Sequence, residues 1–276
     1  MTATSTPTLD GKIIVVTGAG RGQGAAEAAA LLEAGATVVA CDLAWQDTDP
    51  TLADHEQLLR RDLDVTDPAA WATLAEELAQ RGPGTVHGLV NNAGITHRAR
   101  LGDVELDDWN RVFAVNVAGP LLGIQALMPL MTEGGSIINV GSLAAVTAHA
   151  AVSYTSSKWA LRGLTHTASM QLGPRGIRVN LLNPGFIETP MTGAAPDSFR
   201  RANLANTPIG RLGAVGDIVP LVLFLLSDAA AYITGAEIPV DGGQAAHSGA
   251  KYIYDFEAME ASAATSTASA ETEAAR

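Results

Sequence analysis

Between an apolar run, Ile13-Ile14-Val15-Val16, and an alanine-rich stretch, Gln23 to Ala34, lies Thr17-Gly18-Ala19-Gly20-Arg21-Gly22-Gln23-Gly24. No other segment limits the fold as much. Four β-branched residues favour a strand and the alanines favour a helix. The alternating glycines between them admit a turn tighter than residues with a Cβ allow. A strand passing directly into a helix begins a β-α-β unit whose next strand lies parallel to the first. Thr37-Val38-Val39-Ala40-Cys41-Asp42 supplies that strand, after Gly35 ends the helix.

The alternation continues along the chain. Pro68 to Gln80 follows Asp67, an N-cap with proline at the first helical position. Val86 to Val90 is a strand that stops at Asn91-Asn92-Ala93-Gly94. Leu106 to Met131 has the length of one long helix, with Gly119-Pro120 as a point of bending. Ser136 to Val140 and Arg178 to Leu182 are further strands, with a helix around Tyr154 between them. Asp217 to Leu226 and Ala236 to Val240 are the last helix and strand. The expected fold is α/β: a single doubly wound Rossmann-type domain over residues 9–257. Its parallel sheet has about seven strands flanked by helices on both faces, with a lid over about 186–210. Residues 1–8 are expected to be a flexible N-terminus. Residues 258–276 are rich in Ala, Ser, Thr and Glu and form a low-complexity tail unable to build a core. Lys251 to Phe256 carries three aromatics and is expected to pack on something, for instance another subunit.

Composition sets limits on partners. With 276 residues and 47% hydrophobic content the chain can bury one large core. A net charge of −12 opposes binding to nucleic acid or anionic membrane. The lone cysteine, Cys41, excludes an intrachain disulfide and a cysteine-rich metal site, and no ligand cluster points to a catalytic metal. No apolar run reaches the roughly 18 residues of a membrane span, and Met1 to Asp10 has no signal pattern. The expectation is a soluble, cytoplasmic protein.

Two constellations carry chemistry. The glycine turn offers backbone N–H groups to a phosphate at a helix N-terminus, the arrangement that holds a dinucleotide. Asp42 follows Gly18 by 24 residues, close to the ~20 at which a carboxylate holds the adenosine ribose. Such a carboxylate would repel a 2′-phosphate and favours NAD over NADP. Arg21 is a counter-signal, since it could meet that phosphate. Asp42 outweighs it, because a carboxylate forced against phosphate costs on the order of several kcal/mol. Further along, Tyr154 and Lys158 stand four residues apart and share one helix face. A free phenol titrates near pH ~10, and a neighbouring ammonium is expected to draw that value down. A tuned proton donor beside a bound dinucleotide is what hydride transfer to a carbonyl requires.

Taken together, Thr17 to Gly24, Asp64-Val65, Asn91 to Gly94, Asn116, Ser142, Tyr154-x-x-x-Lys158 and Pro184-Gly185 with Thr189 resemble the short-chain dehydrogenase/reductase family, in the family's order across Gly11 to Gly243. The resemblance implies roles. Tyr154 would be the general acid in ketone reduction and the base in alcohol oxidation. Lys158 would lower its pKa and hold the nicotinamide ribose, and Ser142 would bind the substrate oxygen. Asn116 would distort its helix and fix a water on the proton path. Gly18, Arg21, Gly22, Gln23 and Gly24 would surround the diphosphate. Asp42 with Leu43 would hold the adenosine ribose, Asp64 with Val65 would border the adenine, and Asn92, Ala93 and Gly94 would also meet that ribose. Pro184, Gly185, Ile187 and Thr189 would meet the nicotinamide. One departure is the step from Ser142 to Tyr154, twelve residues where the family commonly has thirteen, so the intervening loop is shorter.

Within the family, Ser157-Lys158-Trp159-x-x-Arg162-Gly163-Leu164, Thr189-Pro190-Met191 and Asn206-Thr207-Pro208-x-Gly210-Arg211-x-Gly213 are most similar to bacterial 3α(20β)-hydroxysteroid dehydrogenases. That likeness implies an NAD-dependent secondary-alcohol dehydrogenase acting on a bulky hydrophobic alcohol or ketone. His149, Phe186 and Met191 are the candidate substrate contacts. A β-ketoacyl carrier-protein reductase is the alternative, ranked lower because residues 126–136 have no base and one acid, Glu133. A non-catalytic NAD sensor is disfavoured because both Tyr154 and Lys158 are kept. The resemblance also implies a homotetramer.

Overall fold

Seven strands form one sheet in the computed structural model, which describes residues 8–45 and 49–260: β1 (Ile13–Thr17), β2 (Thr37–Asp42), β3 (Leu58–Asp62), β4 (Val86–Asn91), β5 (Met131–Val140), β6 (Arg178–Pro184) and β7 (Glu237–Val240). Every pairing is parallel, in the spatial order β3-β2-β1-β4-β5-β6-β7. The order reverses between β1 and β4, so a crevice opens beyond their carboxyl ends, where open α/β sheets take their ligands. Sequence reading does not identify β3. Its Leu-Leu-Arg-Arg-Asp run breaks the apolar pattern, and the structure explains why that is tolerated. The strand lies on the sheet edge, where Arg60 pairs with Asp54 and Arg61 with Glu77.

The helices are α1 (Gly22–Glu33), α2 (Pro68–Ala79), α3 (Leu106–Phe113), α4 (Gly119–Leu127), α5 (Val152–Leu172), α6 (Pro190–Gly193), α7 (Asp197–Asn206) and α8 (Val215–Leu226), with a further helix over 250–260. Strand alternation divides the core in two. Ile14, Val16, Val38 and Ala40 face α1 and α8, against Leu31, Ile218 and Val222. Val15, Val39 and Cys41 face the other way, against Trp71, Leu74, Ile124 and Leu172 of α2, α4 and α5. The doubly wound fold is as expected.

The expected long helix is continuous from Leu106 to Leu130 but not uniform. A π-turn over Ala114–Ala118 separates α3 from α4, and Met128–Leu130 ends in a tighter turn. At 25 residues it is long and apolar enough, by length and composition, to cross a bilayer, which a search for an uninterrupted apolar run misses. It packs on β4, α2 and α5. The aromatic segment Lys251 to Phe256 finds no packing partner among the described residues, which leaves its expected docking on another subunit open. Tyr252, Ile253, Tyr254 and Phe256 are exposed, and only Tyr252 and Phe256 stack on each other. Residues 1–7 of the expected flexible N-terminus and 261–276 of the expected tail lie outside the described residues, while 258–260 continue the last helix.

Asp67 caps α2 as expected, its carboxylate accepting from Ala69 N–H at 2.8 Å. Asp67→Ala should therefore cost about 1 kcal/mol, read as a lower urea midpoint at unchanged m-value.

Candidate active site

The site is assembled where β1 and β4 end. Gly18 takes a left-handed conformation, φ +65°, and a Cβ there would lie 2.8 Å from Ala93 Cα. A Cβ on Gly24 would fall 2.2 Å from Gly18 O and 2.4 Å from Asn92 Nδ2. These two positions need glycine because Asn92 occupies the turn itself, donating to Thr17 O and Gly18 O at 3.0 Å each. Thr17 Oγ1 in turn accepts from Asn92 and Ala93 N–H at 3.1 Å. The turn and the end of β4 are thus one unit. Arg21 precedes α1 without a side-chain cap, and the first turn of α1 carries no acid. Gly22 N–H is taken by the Asp49 carboxylate, whose own N–H reaches Gly20 O at 2.9 Å, while the N–H groups of Gln23 and Gly24 have no capping side chain from Arg21. Gln23 turns its amide to Glu27, at 2.9 Å.

Asp42 ends β2 beside the turn, its carboxylate accepting from Gly20 N–H at 2.8 Å and Leu43 N–H at 2.7 Å. Leu43 itself is exposed. Asp64 makes a local turn, accepting from Thr66 N–H and Oγ1 at 2.8 and 2.7 Å. Val65 is buried against Gly119, where a Cβ would lie 2.9 Å from Val65 Cγ2.

Asn116 lies in the π-turn, where Gly119 N–H reaches back to Ala114 O. Pro120, four residues on, has no N–H to give the Asn116 carbonyl. The Asn116 side chain clasps the backbone beyond Gly94: Oδ1 accepts from Ile95 N–H and Nδ2 donates to Ile95 O, both at 2.9 Å. Nδ2 also donates to Ser157 Oγ at 3.0 Å, and Ser157 donates to Tyr154 O at 2.7 Å. A Cβ on Gly94 would stand 3.4 Å from Asn116 Oδ1 and 3.6 Å from Lys158 Nζ, so the strand end and α5 meet there.

On α5, Lys158 is buried, 4% exposed, and donates to Val140 O at 2.8 Å. Its ammonium lies 5.7 Å from the Tyr154 ring centre, and the Tyr154 hydroxyl is hydrogen-bonded with Ser142. Ser142 follows β5 and accepts from Ala144 N–H at 3.1 Å. Tyr154, Lys158, Ser142 and Asn116 are therefore brought together. The expected lowering of the phenol pKa is overturned. Burial pushes Tyr154 up, with the Ser142 hydrogen bond acting against it, and burial lowers Lys158 to about 8. Lys158 is withdrawn from water and engaged by a carbonyl, while Tyr154 is packed in but keeps part of its surface exposed. Desolvation is the leading cause of both shifts.

The segment expected to be a lid lies against the same crevice. Gly185 N–H bonds Val240 O at 3.0 Å, and Ile187 is buried and bridges to Gly213. Thr189 opens α6, its N–H donating to Thr192 Oγ1 at 2.8 Å. A Cβ on Gly22 would meet Pro190 Cδ at 3.2 Å, so the lid starts against the glycine turn. Phe186 and His149 both approach Phe199, at 5.9 and 6.0 Å between ring centres. Met191 is half exposed and offers its carbonyl to Arg98, which also donates to Ala194 O at 2.8 Å. A cavity of about 340 Å³ lies behind the lid base, between Phe186, Ile209 and Asp241. Among the described residues, no cluster of His, Cys, Asp and Glu could hold a metal ion.

Sequence reading missed Thr17, Ser157, Asn183 and Arg98. Thr17 and Asn183 are polar residues at the buried ends of apolar strands, whereas Ser157 lies inside α5 among other hydroxyl residues and gives no such signal. Arg98 lies on a loop with no pattern.

A family model described as enoyl-(acyl carrier protein) reductase matches residues 18–245. A 3-alpha-(or 20-beta)-hydroxysteroid dehydrogenase of Mycobacterium tuberculosis is 40% identical over 242 residues, covering 86% of this chain and 91% of its own. A 3-oxoacyl-[acyl-carrier-protein] reductase of Thermotoga maritima is 37% identical, over 85% of this chain and 98% of its own. The Pseudomonas aeruginosa RhlG/NADP active-site complex superposes with a TM-score of 0.79 at 32% identity, over 86% and 98% of the two chains.

The buried lysine should be a stability cost. Its lowered pKa means folding disfavours the ammonium. That cost is full below about pH 8 and fades as pH rises to the ordinary value of 10.5. Lys158→Met removes that cost but leaves the Val140 carbonyl unpaired, so its melting temperature relative to wild type should be highest at neutral pH and fall in alkaline buffer.

Proposed function

The chain belongs to the short-chain dehydrogenase/reductase family, and from that premise we propose that it is an NAD-dependent dehydrogenase. It would interconvert a secondary alcohol and a ketone on a bulky hydrophobic substrate such as a steroid. That it is an oxidoreductase of alcohols and ketones with a nicotinamide cofactor follows from the family. The observation carrying the finer reading is the meeting of Tyr154, Ser142 and Lys158 within reach of Gly94 at the edge of the crevice.

The residues present fit a nicotinamide dinucleotide. Gly18, Gly22 and Gly24 leave a cradle that side chains would fill, and α1 starts there with no cap from the Arg21 side chain. Gly22, Gln23, Gly24 and Arg21 would hold the diphosphate, Asp42 and Leu43 the adenosine ribose, and Asp64 and Val65 the adenine edge. Asn92, Ala93 and Gly94 would line the floor, and Pro184, Gly185, Ile187 and Thr189 the nicotinamide. Asp42 supports NAD, because its carboxylate is tied to Gly20 where a 2′-phosphate would come. The bound cofactor supplies or accepts the hydride.

The protein's part is protonic and geometric. Tyr154 Oη gives its proton to the substrate oxygen in reduction and takes it back in oxidation. A phenol held protonated by burial suits the first role, and the Lys158 charge favours the phenolate that the second requires. Ser142 donates to the same oxygen as charge builds on it. Asn116 fixes the span between Ile95 and α5, so that Lys158 and the crevice floor keep their spacing. His149, Phe186 and Phe199 give an aromatic wall suited to a bulky apolar body, with Met191 at its rim.

The Thermotoga relative keeps the carrier-protein reductase reading in play. Docking an acidic carrier needs a basic face, and Arg175, the base brought against residues 128–131, is engaged by the Met128 and Met131 carbonyls. For assembly we favour a homotetramer in the cytoplasm. The long helix leaves its most apolar window 39% buried, and Trp159 and Met170 of α5 are exposed.

Purified protein with NAD⁺ should reduce it in the presence of cyclic or steroidal secondary alcohols, more readily than with acyl-pantetheine substrates. Tyr154→Phe should lower kcat at least ~10²-fold; unimpaired turnover would refute the assignment of the proton donor. Asp42→Ala should raise kcat/KM for NADP⁺ relative to NAD⁺ by about tenfold or more, and an unchanged ratio would remove the argument for NAD.

A further inference from the structure

Asn183 is a buried polar side chain beside the site that the chemistry above leaves unused. It stands near the end of β6, 1% exposed, opposite Pro239 of β7. Leu181, two residues earlier on the same face, packs on Ala145 and Leu161. Asn183 thus faces the segment that follows β5 rather than α1 and α8. Its Oδ1 accepts from Ser142 N–H at 3.1 Å. The β5–β6 ladder gives out one residue before, where Gly141 N–H reaches Leu182 O at 2.7 Å. The carboxamide therefore receives the next donor in place of a main-chain carbonyl. Gly141 makes this approach possible, since a Cβ there would fall 2.1 Å from Oδ1.

The other end of the amide, Nδ2, is buried and has no partner among the described residues. Turning the group over would set Nδ2 against the Ser142 N–H, donor to donor. The fold thus leaves one donor unpaired while holding Ser142. Residue chemistry explains the choice of an amide. Alanine would orphan the Ser142 N–H. A carboxylate would accept the bond but add negative charge beside the oxygens of Ser142 and Tyr154, where charge builds during proton transfer. Asparagine is the neutral acceptor of that reach.

We infer that Asn183 is a positioning residue, which holds Ser142 at its distance from Tyr154 and so sets where the substrate oxygen rests. The inference rests on the dehydrogenase reading above. The titratable groups around Ser142 are Tyr154 and Lys158 of α5 and His149 of the intervening loop. Asp241 follows β7 with its oxygens taken by Gly243 and Ala245 N–H.

The test compares wild type, Asn183→Ala and Asn183→Asp. It measures kcat and KM for the secondary alcohol the wild type oxidises, NAD⁺ affinity by protein fluorescence, and melting temperature. Asn183→Ala should lower kcat about tenfold or more, with NAD⁺ affinity nearly unchanged and melting temperature down by only the few degrees that the orphaned Ser142 N–H costs. Asn183→Asp should keep the bond to Ser142 and move the acid limb of the kcat–pH profile for oxidation upward by about one pH unit. If the alanine variant does not fold, the aspartate profile decides alone. Wild-type kcat in Asn183→Ala would overturn the inference. So would a kcat loss matched by equal loss of NAD⁺ affinity and melting temperature, or an aspartate profile superimposable on wild type. A wild type that binds NAD⁺ but oxidises no alcohol would instead overturn the dehydrogenase reading, and the role of Asn183 with it.

Discussion

The close seating of Asn92 on the glycine turn is the contact on which the rest depends. Two amide hydrogen bonds and the Thr17 hydroxyl join the ends of β1 and β4 across the point where strand order reverses. Backbone approaches to about side-chain distance there, so a methyl group at residue 24 would overlap a carbonyl oxygen. The crevice floor is therefore rigid, and everything placed above it is measured from it. Gly94 sits against Asn116 and Lys158, Gly22 against Thr189 and Pro190, and Gly20 against Asp42. Four separate stretches of chain converge because glycine lets backbone stand where side chains would otherwise be.

Above that floor the electrostatics are arranged by burial more than by pairing. Lys158 and Tyr154 are neighbours, yet each is shifted toward its neutral form. Burial drives their proton affinities apart from nearly equal ordinary values, so the phenol keeps its proton more firmly and the amine holds its own less firmly. The cost falls on stability and is carried by two apolar layers, one on each face of the sheet. The π-turn belongs to the same economy of geometry. It turns Asn116 inward and leaves its carbonyl without the donor that residue 120 would normally provide.

Much of this was legible in the order of residues. The strand-turn-helix start, the capped α2, the alternating strands and the Tyr154–Lys158 spacing all appear where local chemistry puts them. What escaped did so for definite reasons. β3 is charged because it is an edge, and edge status is a property of the assembled sheet. The span of residues 106–130 is apolar only as a discontinuous pattern, which no uninterrupted run reveals. Asn183 and Ser157 look like ordinary strand and helix residues until their partners, distant in sequence, arrive. The sign of the Tyr154 shift also could not be read from spacing, since spacing reports a neighbour and says nothing of lost water.

The sequence by itself determined the α/β class, the place of the glycine turn and the identity of the groups able to move a proton. These depend on backbone preference and on contacts within a few residues. Tertiary structure alone decided which strand became the edge, which buried amide braces Ser142, and that desolvation rather than the nearby ammonium governs the phenol. Each of those is set by what packs against a group from elsewhere in the chain, and burial is a property of the folded whole.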